Sequence, residues 1–224
     1  MSATLYNQTF TIFFGEPGLP TGWHQVAGTA DLVADKMRTL TTATTYASAG
    51  AYFDGITIPQ NFDLYVNATI TTVTSTEFYG GISVRAASTS FNHIQQYSSW
   101  HVRFTGITNV GVGRLYRINA QGAETALTGD GADIDFVQGS VLRVHINCTD
   151  NVFSLSYWKD GESEPGSYML SYTDATPPTG AMASLMIRNG SGASADDWRW
   201  DDFLITTPSG PGPGHRPGMR RTGG

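Results

Sequence analysis

The stretch VLRVHINCTDNVFSLSYW, residues 141–158, decides the fold. Leu142, Val144, Ile146 and Cys148 alternate with Arg143, His145 and Asn147. Asp150-Asn151 then interrupts, and Phe153, Leu155 and Tyr157 alternate with Ser154, Ser156 and Trp158. A period of two with one apolar side is the pattern of a strand lying over a core, and two such strands joined by a short polar turn predict a β-hairpin. The same period runs outward through the chain: Phe62, Leu64, Val66, Ala68 and Ile70; Ile82 and Val84; Trp100, Val102 and Phe104. Turn-forming clusters such as Gly80-Gly81, Asn119–Gly122, Lys159-Asp160-Gly161 and Pro177–Gly180 punctuate these runs. Many strands with one wet face imply antiparallel pairing in two packed sheets. Ala30–Arg38, the segment nearest to a helical pattern, is read as strand plus turn.

Composition supports this reading. The 224 residues suit one all-β domain, and charged residues make up 14% of the chain beside 26 glycines, a balance that favours short strands over long helices. One cysteine excludes an internal disulfide, and Cys148 falls on the apolar side of its strand, so a buried thiol is expected. No apolar run approaches the roughly 20 residues of a membrane span, so no membrane insertion is expected. The start of the chain is polar rather than signal-like, and the Asn-x-Ser/Thr matches at Asn7, Asn67, Asn147 and Asn189 are therefore expected to carry no glycan.

The net charge is −6, and the final segment PSGPGPGHRPGMRRTGG contributes three arginines and no acid. Removing those three positive charges leaves −9 for residues 1–207. A domain that acidic argues against non-specific nucleic-acid binding, which needs basic surface. The domain boundary is therefore placed at Pro208: residues 1–207 form the sandwich and 208–224 an extended arm without core-forming residues. Arg216, Arg220 and Arg221 make this arm either a docking peptide for other proteins of an assembly or a plain disordered tail.

Three groups of residues bear on function. If Ile82, Trp100, Val144 and Phe153 face inward, then Arg85, Tyr97, His101, Arg103, Arg143, His145 and Trp158 face outward and could gather on one sheet face. Sugars bind such surfaces by stacking on rings and accepting hydrogen bonds from planar donors, and the arginines would add a taste for carboxylate or phosphate. The competing reading is a solvated face whose arginines pair with nearby acids. Asp130, Asp133 and Asp135 lie in a Gly-containing loop, which is open to two readings, a calcium site with oxygen ligands or a solvated acidic turn. Trp198 and Trp200 point the same way as each other and are read as buried.

Several landmarks, taken together, resemble the concanavalin-A-like (laminin-G-like) jelly roll. Phe10, Leu19, Trp23 and Gly28-Thr29 resemble its first hairpin; Tyr79-Gly80-Gly81-Ile82-Ser83-Val84-Arg85 resembles its central strand pair; Trp198–Ile205 resembles the closing strand that returns beside the first. The expected fold is thus an all-β, two-sheet antiparallel jelly-roll sandwich. The resemblance implies carbohydrate or cell-surface recognition, with hydrolysis in some branches. Hydrolytic members carry a Glu-x-Asp-x-x-Glu run along one strand; this chain has five glutamates, four of them in turns, and Glu162-Ser163-Glu164 lies in the turn Asp160–Gly166. A binding module rather than an enzyme is therefore expected. In some relatives an acid on the closing strand helps hold structural calcium, a role that would fall to Asp201 or Asp202. The absence of a signal-like start together with the Gly/Pro/Arg tail also resembles minor tail or other virion-surface proteins of actinobacterial phages. That resemblance implies a virion location, a cell-wall or surface glycan as ligand, other virion proteins as partners of the arm, and an oligomer as one arrangement; a purely structural virion subunit is the alternative, and a polysaccharide hydrolase or lyase the next.

Overall fold

The computed structural model describes residues 3–8, 19–42, 44, 46–72, 77–107, 110–135, 138–190 and 195–208. Its strands, in chain order, are β1 (Thr4–Gln8), β2 (Trp23–Ala27), β3 (Thr29–Val33), β4 (Lys36–Leu40), β5 (Ser48–Phe53) and β6 (Phe62–Thr72). They continue with β7 (Glu77–Ala86), β8 (Phe91–Asn92), β9 (Gln95–Gln96), β10 (Ser99–Ile107), β11 (Val110–Ile118) and β12 (Glu124–Ala126). The last are β13 (Ile134–Asp135), β14 (Val141–Thr149), β15 (Val152–Lys159), β16 (Leu170–Thr173), β17 (Met182–Asn189) and β18 (Asp197–Thr206). Among the described residues no helix is long and apolar enough to cross a membrane.

Two eight-stranded antiparallel sheets result. The back sheet runs β16-β15-β14-β6-β18-β4-β3, with β1 also on β18; the front sheet runs β12-β11-β10-β7-β17-β5-β2, with β13 on β11. This is the jelly-roll sandwich expected. The hairpin read from residues 141–158 is β14–β15, with Asp150 at φ 52 in its turn. Ala30–Arg38 is the β3–β4 hairpin, whose two turn residues Ala34 and Asp35 have φ 49 and 60, the backbone handedness that a tight two-residue turn demands. The closing strand does return beside the first, as β18 on β1.

One landmark is corrected. The segment around Trp23–Thr29 is a crossing and not a hairpin: β2 pairs with β5 in the front sheet and β3 with β4 in the back sheet. The chain changes sheet at Gly28, whose φ of 57 and whose closeness to the Ala49 backbone leave no room for a side chain. Phe10 lies outside the described residues.

The inner faces of both sheets meet in one core. Trp100, Trp198, Trp200, Phe53, Phe62, Phe104 and Phe153 are fully buried in it, as is Cys148, whose thiol burial pushes well above its ordinary pKa. Trp100 stacks on Phe153 at 4.9 Å with the rings nearly parallel, and its Nε1 donates to the buried Asp174 at 2.9 Å. Trp200 Nε1 donates to Thr39 Oγ1 at 2.9 Å. Each indole thus hides its ring and satisfies its one donor, so truncating either to alanine costs about 3–5 kcal/mol.

Candidate functional site

The basic and aromatic residues expected on one face are divided between two. Arg103, His101 and Arg85 belong to β10 and β7 of the front sheet, whereas Arg143, His145 and Trp158 belong to β14 and β15 of the back sheet. The two groups therefore lie on opposite sides of the sandwich. Arg85 departs further from expectation. Its φ of 51 breaks the alternation and turns the side chain into the end of the sandwich, where its guanidinium lies 4.4 Å from the Trp100 ring centroid. There it is 1% exposed and donates to the carbonyls of Asp150 and Gln60. Arg85 is a structural residue of the core edge.

The front face carries a cleft of about 390 Å³, lined by Tyr79, Arg103, Arg188, Glu124 and the β8–β9 hairpin. Strand register builds it. Arg188 of β17 stands opposite Tyr79 of β7, and Arg103 of β10 stands opposite Gly81. Gly81 leaves the space above it open, and the Ile94 carbonyl of the hairpin and the His101 ring come down there; a Cβ would lie 3.0 Å from that carbonyl. The hairpin turns at His93, with φ 57, and is tied to the sheet by Gln96 N–H donating to Ser83 Oγ at 3.2 Å. Arg103 packs over the Tyr116 ring at 4.3 Å and pairs with Glu124, which also accepts from Gln95. Tyr97 is not a cleft-lining residue; its ring packs on Gly122, which is, and whose φ of 78 closes the Asn119–Gly122 turn.

Beneath this cleft His101 is wholly buried. Its Nδ1 is 3.0 Å from Ser83 Oγ, and its Nε2 has no hydrogen-bond partner among the described residues. Burial, with Arg103 nearby, holds it well below the usual imidazole range, so it is neutral. His93 is also lowered, by burial and by the positive charges of Arg188 and Arg103.

The back face carries a second cleft of about 330 Å³, lined by Tyr65, Asn67, Arg143, Trp158, Asp202 and Leu204 among others. Here the charges are matched. Arg143 pairs with Asp160 at 2.6 Å, Lys36 with Asp201 at 3.5 Å, and Asn67 Nδ2 donates to Asp202 Oδ2 at 2.7 Å. Asp202 sits in a β-bulge of β18, with φ 51, where the register to β6 shifts between Asp201 and Leu204. Next to the cleft, His145 is clamped: Nε2 lies 3.0 Å from Asp63 Oδ1 and Nδ1 lies 2.5 Å from Glu164 Oε1. The Tyr65 ring stacks on it at 4.1 Å; burial and then the two carboxylates push the Tyr65 hydroxyl up to about 12. Glu164, read from sequence as a turn residue, thus fastens the 160–168 loop over the sheet.

Of the acidic residues read as calcium candidates, Asp130 is taken up by Arg114 at 2.7 Å beside the front sheet, Asp133 is exposed on the same loop and Asp135 lies on β13, while Asp202, a separate candidate, is on the back sheet. Among the described residues no group of three or more His, Cys, Asp or Glu is placed to hold a metal. Arg216, Arg220 and Arg221 lie outside the described residues. Arg188, by contrast, is a cleft residue that sequence reading did not single out; its one available signal was its alternation with Ile187 and Asn189, which only the β17–β7 pairing turns into a position.

No family model matches the chain, and no curated protein matches it. Solved structures do. The carbohydrate-binding CBM2 module of the evolved Dit of Lactobacillus casei BL23 phage J-1 is similar with a TM-score of 0.61 at 10% identity, covering 92% of this chain and 96% of that one. SCLam, a non-specific endo-β-1,3(4)-glucanase of family GH16, is similar with a TM-score of 0.61 at 10% identity, covering 93% and 92%. The carbohydrate-binding module CBM66 from Bacillus subtilis is similar with a TM-score of 0.52 at 9% identity, covering 84% and 96%. These likenesses identify the fold as the concanavalin-like jelly roll.

Proposed function

We propose that this chain is a non-catalytic carbohydrate-binding module whose site is the front-sheet cleft, borne on a phage virion and engaging a glycan of the host surface. The observation that carries the reading is the convergence in one cleft of about 390 Å³ of a tyrosine ring, two guanidinium groups and the amides Asn92 and Gln95. Pockets that size accept a few sugar units, and rings with planar donors are what sugars need. The similar structures support it, since two are named as carbohydrate-binding modules and one of these belongs to a phage Dit. In this reading residues 208–224 dock the module to other virion proteins.

Binding without cleavage is the favoured form. A glycosidase pair needs two carboxyls about 5–9.5 Å apart across the scissile bond. Among the cleft-lining residues the carboxylate is Glu124, already held by Arg103 and Gln95. The glucanase likeness makes the alternative worth measuring in the same assay.

The test is a panel of polysaccharides and bacterial cell walls, with Arg103→Ala in the front cleft and Trp158→Ala on the back sheet. Saturable binding lost in Arg103→Ala and kept in Trp158→Ala is expected. Wild-type protein that binds nothing on the panel, with or without calcium, sinks the reading in favour of a structural virion subunit. Shortening of the polymer would make the chain an enzyme.

A further inference from the structure

Arginines on this sandwich come with carboxylates. Arg38 has Asp31, Arg103 has Glu124, Arg114 has Asp130, Arg117 has Asp174, Arg143 has Asp160 and Arg199 has Asp197. Arg85 is the buried exception, turned onto backbone carbonyls. Arg188 is the exception on an outer face. Its Nε donates to the Tyr46 carbonyl at 3.3 Å, and its guanidinium carbon lies 4.6 Å from the Tyr46 ring centroid and 5.9 Å from that of Tyr79. Among the described residues no carboxylate pairs with it, and its two Nη groups make no hydrogen bond.

This is costly to maintain without a purpose, because a half-buried cation wants an anion. The chain is acidic, with net charge −6, so carboxylates are in good supply elsewhere on the surface. The site is also fixed in advance. Tyr46 is held at φ 58, with its N–H donating to the Gly190 carbonyl at 3.2 Å, so the ring that supports the guanidinium is pinned at its own backbone. Tyr46 as a whole is 44% exposed, so an aromatic residue open to solvent lies beside the cation. Across β7, Arg103 stands diagonally beyond Tyr79 and Gly81. Burial lowers the pKa of Arg188, with the positive charge of Arg103 adding to it, and burial with the charges of both arginines lowers that of His93.

We infer that Arg188 is an anion subsite of the cleft: it receives a carboxylate or phosphate carried by the bound glycan, whose sugar ring lies against Tyr46 or Tyr79. This inference rests on the glycan-binding reading of the same cleft and adds the sign of the ligand's charge and the residue that reads it. A guanidinium with both Nη groups available can offer two parallel donors to two anionic oxygens, a geometry that an ammonium cannot copy.

The experiment compares polygalacturonate with the same polymer fully methyl-esterified, and adds a glycerol-phosphate teichoic acid, each against wild type, Arg188→Gln and Arg188→Lys. Thermal melting of each variant confirms that it is folded. Wild type should bind one of the two anionic polymers at least about tenfold more tightly than the neutral ester, the order expected for one charge-assisted contact. Polygalacturonate responding alone assigns a carboxylate ligand, and teichoic acid alone a phosphate. The preference should vanish in Arg188→Gln, survive in part in Arg188→Lys, and shrink as salt is raised. Equal affinity for charged and neutral polymers, or a preference that Arg188→Gln leaves untouched, overturns the anion subsite while leaving glycan binding in place. No binding to either anionic polymer also overturns it, and the glycan reading itself falls only when the neutral panel is blank as well.

Discussion

The two outer faces of the sandwich are built from the same kinds of residue and end in opposite electrostatic conditions. On the back sheet the polar groups beside the cleft are matched within the protein: Arg143 with Asp160, Lys36 with Asp201, and His145 held between Asp63 and Glu164. Trp158, the ring expected there to stack on a ligand, is 8% exposed. On the front sheet no carboxylate among the described residues pairs with Arg188, and Tyr46 beside it is 44% exposed. A polar cluster satisfied within the protein contributes to holding the chain together, whereas one left incomplete is available to a ligand. Cleft volume, about 390 against about 330 Å³, does little to separate the faces; the pairing of Arg143 with Asp160 and the lack of a carboxylate on Arg188 among the described residues do.

That contrast is open to direct attack. The largest effect is expected on the back sheet. Asp63→Ala removes one side of the His145 clamp, where Asp63 is 1% exposed and also accepts from Asn147 at 2.7 Å. Chemical denaturation should show a loss of about 3 kcal/mol, the cost of orphaning a buried polar partner, with glycan affinity unchanged. A variant as stable as wild type would mean that the back-sheet cluster is not structural. Next comes Gly81→Ala in the front sheet, whose new Cβ would press on the Ile94 carbonyl and the His101 ring. It should cost about 2 kcal/mol through overpacking and weaken glycan binding by displacing the hairpin. Unchanged binding would show that the hairpin is not a wall of the site.

A smaller effect concerns pH. His101 is neutral in the fold because burial lowers its pKa, while in the unfolded chain it takes up a proton near 6.5. Its contribution to stability is therefore whole above that pH and is lost as pH falls below it, at up to about 1.4 kcal/mol per pH unit. His101→Gln should flatten the stability curve of wild type between pH 6.5 and the acid limb; two superimposable curves would count against a neutral His101. The smallest effect is expected for Arg143→Ala. Its pair with Asp160 is about half exposed on both sides, so stability should change by less than about 1 kcal/mol and binding not at all. Binding lost in Arg143→Ala would move the site to the back sheet.

Much of the fold was legible in the chain because side-chain alternation is local. The runs at Phe62–Ile70, Leu142–Cys148 and Phe153–Tyr157 bury the residues their period says they should. What alternation does not carry is partnership between distant strands. β14 pairs with β6, which lies some seventy residues earlier in register terms at Val141↔Thr69, so Arg143 and Arg103 shared a pattern without sharing a sheet. Local backbone handedness was equally silent: at Arg85 a single residue with φ 51 turned an expected surface arginine into a core one. The candidate site was half legible for the same reasons. Arg103, expected to face outward from its strand, lines the front cleft, whereas Arg188 emerged only when β17 was laid against β7.

The front sheet, and not the back, is the proposed glycan face. Backbone amide shifts of isotopically labelled protein, titrated with an oligosaccharide of the polymer that binds best, test it most directly. The perturbed amides should cluster on β7, β10, β17 and the β8–β9 hairpin, around Tyr79, Arg103 and Arg188. Perturbations centred instead on β6, β14 and β15, around Asn67, Arg143 and Trp158, would contradict it.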